Sequence, residues 1–268
     1  MRLALLLAVL ALPAAAQERI PSHCVALAQG PERAVAASFR EPVAEGTVRL
    51  AYLDHAMVLI QAGGVSAVTD FTGFVGNVDW LPDVVTMNNS HSTHWTRFPD
   101  PAIPHVLRGW AEGGEAARHR LDLGAMLIRN VPTDTRGRGG GVTPDGNSVF
   151  VFEAGGLCIG HLGHLHHEPT DEDYALLGRV DVAMVPVDGG LTLDHPTLVR
   201  TLARLRARVV IPMHWFGEPN LEAFVRRMEV DAGYAVERRD GNALELTLAA
   251  LPDAPTVVVL EPALLAED

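Results

Sequence analysis

Histidine is unevenly placed in this chain. Of its 12 histidines, His161, His164, His166 and His167 stand close together behind the apolar run 156–159. Imidazole is the commonest metal-binding side chain and the one that titrates near neutrality without help. Two more apolar runs end in the same way. Residues 83–87 lead into Asn88, Asn89, Ser90, His91, Ser92, Thr93 and His94, and residues 208–213 lead into His214. A lone histidine in a polar loop is usually just solvated. Three runs that each deliver histidine at their exit point instead to one convergent site, built from separated segments as metal centres are.

The elements that must position these residues can be read from pattern. The three runs are short, β-prone and bounded by turn residues, so they read as buried strands. In open α/β sheets, sites gather outside the carboxyl ends of strands. Further strands are expected over 47–53, 56–62 and 65–70, with Gly63-Gly64 as a hairpin turn. More follow over 121–131, 148–154, 180–187, 234–238 and 243–248. Helices are expected over 168–177, with Thr170 as N-cap, over 194–207 and over 220–229. The proline-broken stretch 95–120 reads as a pocket wall or a sheet cover. The glycine-rich stretch 136–147 reads as a turn or flap. Hairpins first, then alternating strands and helices, indicate an α/β layered fold.

Composition bounds the partners. Acidic residues outnumber basic ones 33 to 21, a formal net charge of −12, which argues against nucleic acid or an anionic membrane. A small-molecule substrate fits better. Residues 1–16 have a basic start, a short apolar core and the pattern Ala14-Ala15-Ala16, which together read as a signal peptide cleaved before Gln17. That core is shorter than the ~20 residues a membrane span needs, so no membrane insertion is expected after cleavage and the product is periplasmic or secreted. Residues 17–45 read as an irregular arm and 46–268 as the folded domain. An oxidising compartment would permit a Cys24–Cys158 bond. A buried, unpaired Cys158 is the more ordinary reading.

The order of certain motifs carries a family resemblance. They are Leu53-Asp54-His55-Ala56, Val68-Thr69-Asp70, the Asn89–His94 loop, His161-Leu162-Gly163-His164, Pro186-Val187-Asp188-Gly189-Gly190 and Ile211-Pro212-Met213-His214-Trp215. Over about 46–250 the chain resembles the metallo-β-lactamase-fold superfamily, nearest the branch that contains ascorbate-phosphate lactonase. That resemblance implies a four-layer αββα sandwich with metal at one edge. It also implies an exported metal-dependent hydrolase of a small ester, lactone or phosphodiester, acting through a metal-activated water.

The family's metal loop, His-x-His-x-Asp-His, meets Asn89, His91, Thr93 and His94 here. A later family histidine meets Thr135, the bridging aspartate meets His164, and the last histidine meets His214. The resemblance therefore implies one divalent transition metal rather than two, held by His94, His164 and His214 with His91 nearby. Zinc suits that set first, with iron or copper as alternatives. Asp134, His161 and His166 are the candidates for a general acid or base. Asp70 and Asp188 are expected behind the ligands. His55 would either lean over the site or be structural, and His23, His105, His119 and His195 are expected at the surface. The alternative function is a non-catalytic metal- or ligand-binding protein on the same fold.

Overall fold

The computed structural model describes residues 38–267. The expected signal peptide and the arm up to residue 37 lie outside the described residues. The chain opens with β1 (Thr47–Asp54), β2 (Met57–Ala62), β3 (Val65–Val68), β4 (Val84–Met87) and β5 (His105–Arg108). It continues with β6 (Arg120–Asp122), β7 (Met126–Arg136), β8 (Val142–Ala154) and β9 (Leu157–His161). Strands and helices then alternate: α1 (Asp171–Leu177), β10 (Val182–Pro186), α2 (His195–Leu205), β11 (Val209–Met213) and α3 (Glu218–Val230). Strands β12 (Ala235–Arg238), β13 (Ala243–Thr247) and β14 (Thr256–Val259) complete it.

These strands make two sheets, ordered β13-β1-β2-β3-β4-β5 and β12-β14-β11-β10-β9-β8-β7-β6. Alternation decides what each face meets. Leu50, Tyr52, Val58 and Ile60 from the first sheet pack with Ile128, Phe150, Ile159, Met184 and Ile211 from the second, forming the core between them. The opposite face of the second sheet, with Val149, Val151, Val185 and Val210, is covered by Leu198 and Leu202 of α2 and Phe224 of α3. Both faces of that sheet are buried, so its strands read as continuous apolar runs rather than alternating ones. The outer face of the first sheet, with Leu53, Leu59, Val85 and Met87, meets Phe71, Ile103, Trp80, Trp95 and Trp110. The fold class is the one expected, though loop segments supply this outermost cover.

Helix ends follow local chemistry. Thr170 caps α1 through a reciprocal capping box with Asp173. Asp194 caps α2 by accepting from the Thr197 N–H.

Several differences from the sequence reading have simple causes. The stretch 136–147 is mostly strand: β7 and β8 form one long hairpin, its register shifting between Thr133 and Thr135. The stretch 95–120 contains β5, which pairs in parallel with β4. The run 256–259 is a buried strand inserted between β11 and β12, and only its partners reveal that. Cys158 is disulfide-bonded, which corrects the unpaired reading. Cys24, the chain's other cysteine, lies outside the described residues. His195 is not a surface residue: it is buried, with Nε2 facing the Val187 carbonyl at 3.1 Å.

Candidate metal centre

Parallel pairing of β9, β10 and β11 aims their carboxyl ends at one edge of the molecule. Strand β4 ends there too. The Ser148 N–H donates to the Asn88 carbonyl and an Asn89–Asn147 bridge joins the two sheets, so the loop carrying His91 and His94 faces the exits of β9 and β11. The His214 N–H donates to the His55 carbonyl over 2.8 Å, which brings the β1–β2 turn into the same place.

His94 and His214 form the buried heart of the site. Their Nε2 atoms lie 3.1 Å apart. Each ring has a carboxylate behind it. His94 Nδ1 is 2.5 Å from Asp70 Oδ2, and His214 Nδ1 is 3.0 Å from Asp188 Oδ2, the latter off line for a hydrogen bond. Asp70 is in turn held by the Asn88 N–H. Asp188 accepts from the Gly190, Leu191 and Thr192 N–H groups and from the Thr192 hydroxyl. The His55 ring lies 3.9 Å from that of His214, and its Nε2 is buried without a hydrogen-bond partner. His55, Asp70, His214 and Phe216 all have positive φ, at 40°, 41°, 59° and 55°. Backbone strain of this kind costs about 1–3 kcal/mol per residue and gathers where function needs an unusual geometry.

A more open half adjoins it. His164 lies 4.7 Å from His94 and 5.4 Å from His91 between ring centres. His164 Nδ1 is 2.5 Å from His166 Nε2, and His166 Nδ1 accepts from the Arg136 N–H over 2.6 Å. His91 is exposed, with Nδ1 3.1 Å from the Thr93 hydroxyl.

Burial controls the protonation of the cluster. Burial first, then the neighbouring His214 and His91, holds His94 well below the usual histidine value. Burial, with His214 and His94, pushes His55 down to about 3, and burial, with His94 and His166, pushes His164 to about 2. Burial, with Arg136 and His167, takes His166 to about 4. These four rings are therefore neutral at ordinary pH and keep lone pairs. Burial raises Asp70 to about 7, although His161 and the Asn88 N–H oppose it. For Asp188, burial raises the value, but His214, Thr192 and Gly190 more than offset it and hold the carboxyl below its usual range.

This donor set fits a transition metal. Ring nitrogens of His55, His94 and His214 lie within 4.8 Å of one another, and so do those of His91, His94 and His164. Two nitrogens on a tetrahedral zinc are ~3.3 Å apart, close to the His94–His214 separation. With its Nδ1 proton facing Asp70, His94 turns an Nε2 lone pair toward His214 Nε2 across that gap, an arrangement a cation suits. It would also satisfy the orphaned His55 nitrogen, whose burial unpaired costs about 1–3 kcal/mol.

Comparison with known proteins agrees with this geometry. The family described as "Beta-lactamase superfamily domain" matches residues 49–214, more than half of the chain. The chain belongs to this superfamily. A UPF0173 metal-dependent hydrolase of Methanosphaerula palustris is 25% identical over 190 residues, covering 65% of this chain and 87% of that protein. One from Opitutus terrae is 27% identical over 233 residues, covering 74% and 96%. Among solved structures, a putative zinc-dependent hydrolase of the metallo-β-lactamase superfamily from Thermotoga maritima superposes with a TM-score of 0.59 at 27% identity. It covers 80% of this chain and 98% of its own.

Within this superfamily fold, His91, His94, His164, His166 and His214 come together, and two other candidates do not. His161 is fully buried, with Nδ1 3.0 Å from the Asn88 amide nitrogen and Nε2 2.8 Å from the Ala56 carbonyl. Both ring nitrogens are engaged in the core, so its general acid or base role is corrected to a structural one. Asp134 is exposed and accepts from the Asp145 N–H. Strand alternation turns Thr135 toward the pocket and Asp134 away from it, and its catalytic assignment is corrected as well. Asp70 and Asp188 stand behind ligand candidates, as the sequence suggested. His55 gave only the weak signal of a histidine at a strand end, and its contact with His214 depends on the tertiary fold.

Proposed function

We propose that this chain is an exported metal-dependent hydrolase that uses a single divalent ion, zinc first, held by His55, His94 and His214. The observation that carries the reading is the close trio of imidazoles, His94 and His214 buried with a carboxylate beside each and His55 half-buried with its Nε2 left unpartnered. The shared His94 argues for one ion. Its Nδ1 is committed to Asp70, so its single remaining nitrogen can serve only one of the two trios. An ion there would lower the pKa of water toward 7 and polarise the scissile oxygen. The similarity to relatives named as metal-dependent hydrolases supports the same chemistry.

The chain's own residues do the rest. Asp70 holds the His94 ring at Nδ1 and directs its Nε2 lone pair inward, and the Asp188 carboxylate stands 3.0 Å from His214 Nδ1. A cavity of about 370 Å³, lined by His91, Trp110, Thr135, Thr143 and His164, lies on the open half of the cluster and suits a small substrate. A larger cavity, about 800 Å³, lies among turns at the other end of the strands, near Gly63, Ala125 and Gly155, and has no histidine in its walls. We place substrate in the smaller one, where the chemistry is. A small ester, lactone or phosphodiester fits that space. The disulfide at Cys158 supports an oxidising compartment and hence export.

Plasma mass spectrometry of the zinc-loaded chain should find one ion. Turnover on an ester, lactone and phosphodiester panel should vanish with chelator and return with zinc. Two ions per chain would break the single-site reading. One ion with no turnover across the panel would favour the non-catalytic binding protein. An intact mass beginning at Gln17 in the exported fraction tests the route.

A further inference from the structure

Two hydrogen bonds, taken together, fix the protons on a pair of imidazoles in the pocket wall. The Arg136 backbone N–H donates to His166 Nδ1 over 2.6 Å, so that nitrogen carries a lone pair. A neutral imidazole has one N–H, so the His166 proton sits on Nε2. That Nε2 lies 2.5 Å from His164 Nδ1 and donates to it. His164 then accepts at Nδ1 and carries its own proton on Nε2. The reverse arrangement would set a His166 Nδ1–H against the Arg136 N–H. Arg136 has little freedom to turn away: it pairs with Val142 in the hairpin, and its guanidinium donates to the Gly190 and Thr192 carbonyls. The His164 backbone is pinned as well, by its N–H to Asn147 Oδ1 at 2.9 Å.

His94 shows the opposite polarity. Its Nδ1 faces a carboxylate and its Nε2 faces the site, the arrangement of a ligand. His164 has its Nδ1 occupied by a donor, and the nitrogen left over is an N–H. A protonated nitrogen has no lone pair for a metal, but it is a hydrogen-bond donor, on a ring whose centre lies 4.7 Å from that of His94.

We propose that His164 is a catalytic hydrogen-bond donor rather than a metal ligand, its Nε2–H stabilising negative charge that develops on a carbonyl or phosphoryl oxygen of the substrate. His166 is the positioning residue that holds this tautomer. No proton is transferred in this role. The proposal rests on the hydrolase reading above.

The test is ring-nitrogen NMR on the full chain labelled with ¹⁵N-histidine, metal-free and with one equivalent of zinc, assigned with His164→Ala and His166→Ala. The expected spectrum has His164 protonated at Nε2 in both forms and unmoved by zinc, while His94 and His214 shift. His166→Ala should return His164 to a mixture of tautomers. On any substrate turned over, His164→Ala should keep its zinc and its KM while kcat falls about 10²–10³-fold, the usual loss for one such donor. His164→Asn, which keeps an N–H, should recover part of that loss. An unprotonated His164 Nε2, a zinc-induced shift at His164 or loss of zinc from His164→Ala would make His164 a ligand and overturn the proposal. Failure of the wild-type chain to bind zinc would instead sink the metal reading, and the metal-free spectrum would still decide the His164 tautomer.

Discussion

His94 and His214 reach the site from different strands yet share one construction, and His164, 4.7 Å from His94 between ring centres, does not share it. The first two are buried and backed by Asp70 and Asp188. The third is half-buried and backed by another imidazole that a backbone N–H has already capped. A carboxylate behind a ring turns its far nitrogen into a lone pair, whereas a donor behind it turns that nitrogen into an N–H. Identical side chains in one cluster can therefore have opposite polarity, set by what stands one bond further back.

The largest effect that would test this contrast is on metal binding itself. His94→Ala removes the ring that both trios share, and bound zinc should fall to background in plasma mass spectrometry. Retention of a full equivalent would move the site elsewhere.

Asp70→Asn is gentler. It keeps the shape but removes the charge behind His94, and loss of such a partner usually weakens metal affinity about 10–100-fold. Competition with a chelator measures the change. Unchanged affinity would mean that the Asp70 contact does not orient the ligand.

The same carboxyl sharpens the comparison through pH in metal-free protein. His55, His164 and His166 have folded values of about 3, 2 and 4, below the ordinary 6.5, so their contribution to stability is complete above pH 6.5 and is lost on acidification. Asp70 has the opposite sign. Its folded value of about 7 lies above the ordinary 3.8, so its contribution is complete below pH 3.8 and disappears as pH rises through 7. Between pH 7 and 4 the two trends oppose each other. Urea midpoints should fall on acidification, and Asp70→Asn should make that fall steeper. A shallower fall in the variant would reverse the assigned sign.

The smallest effect belongs to the candidate that the fold excluded. Asp134→Ala lies on the far face of its strand, and both stability and turnover should stay close to wild type, within about 0.5 kcal/mol for unfolding. A large loss of turnover would return Asp134 to the site.

The sequence by itself determined the strands that matter and the edge where they end. Apolar runs leading into His91 and His94, His164 and His214 imply a convergent site because strand periodicity and exit loops are local properties. Residues behind the ligands were legible in part, since Asp70 and Asp188 each follow a strand. Other features were set by contacts distant in sequence. His161 and His164 stand three residues apart with the same side chain, yet Asn88 and Ala56 commit the first to the core while His166 faces the second. His55 joins the site because the His214 N–H meets its carbonyl, and 256–259 becomes a strand because β11 and β12 leave room between them. The tautomer of each ring was decided by the tertiary structure alone, because a ring nitrogen takes its role from a partner and the sequence names no partners.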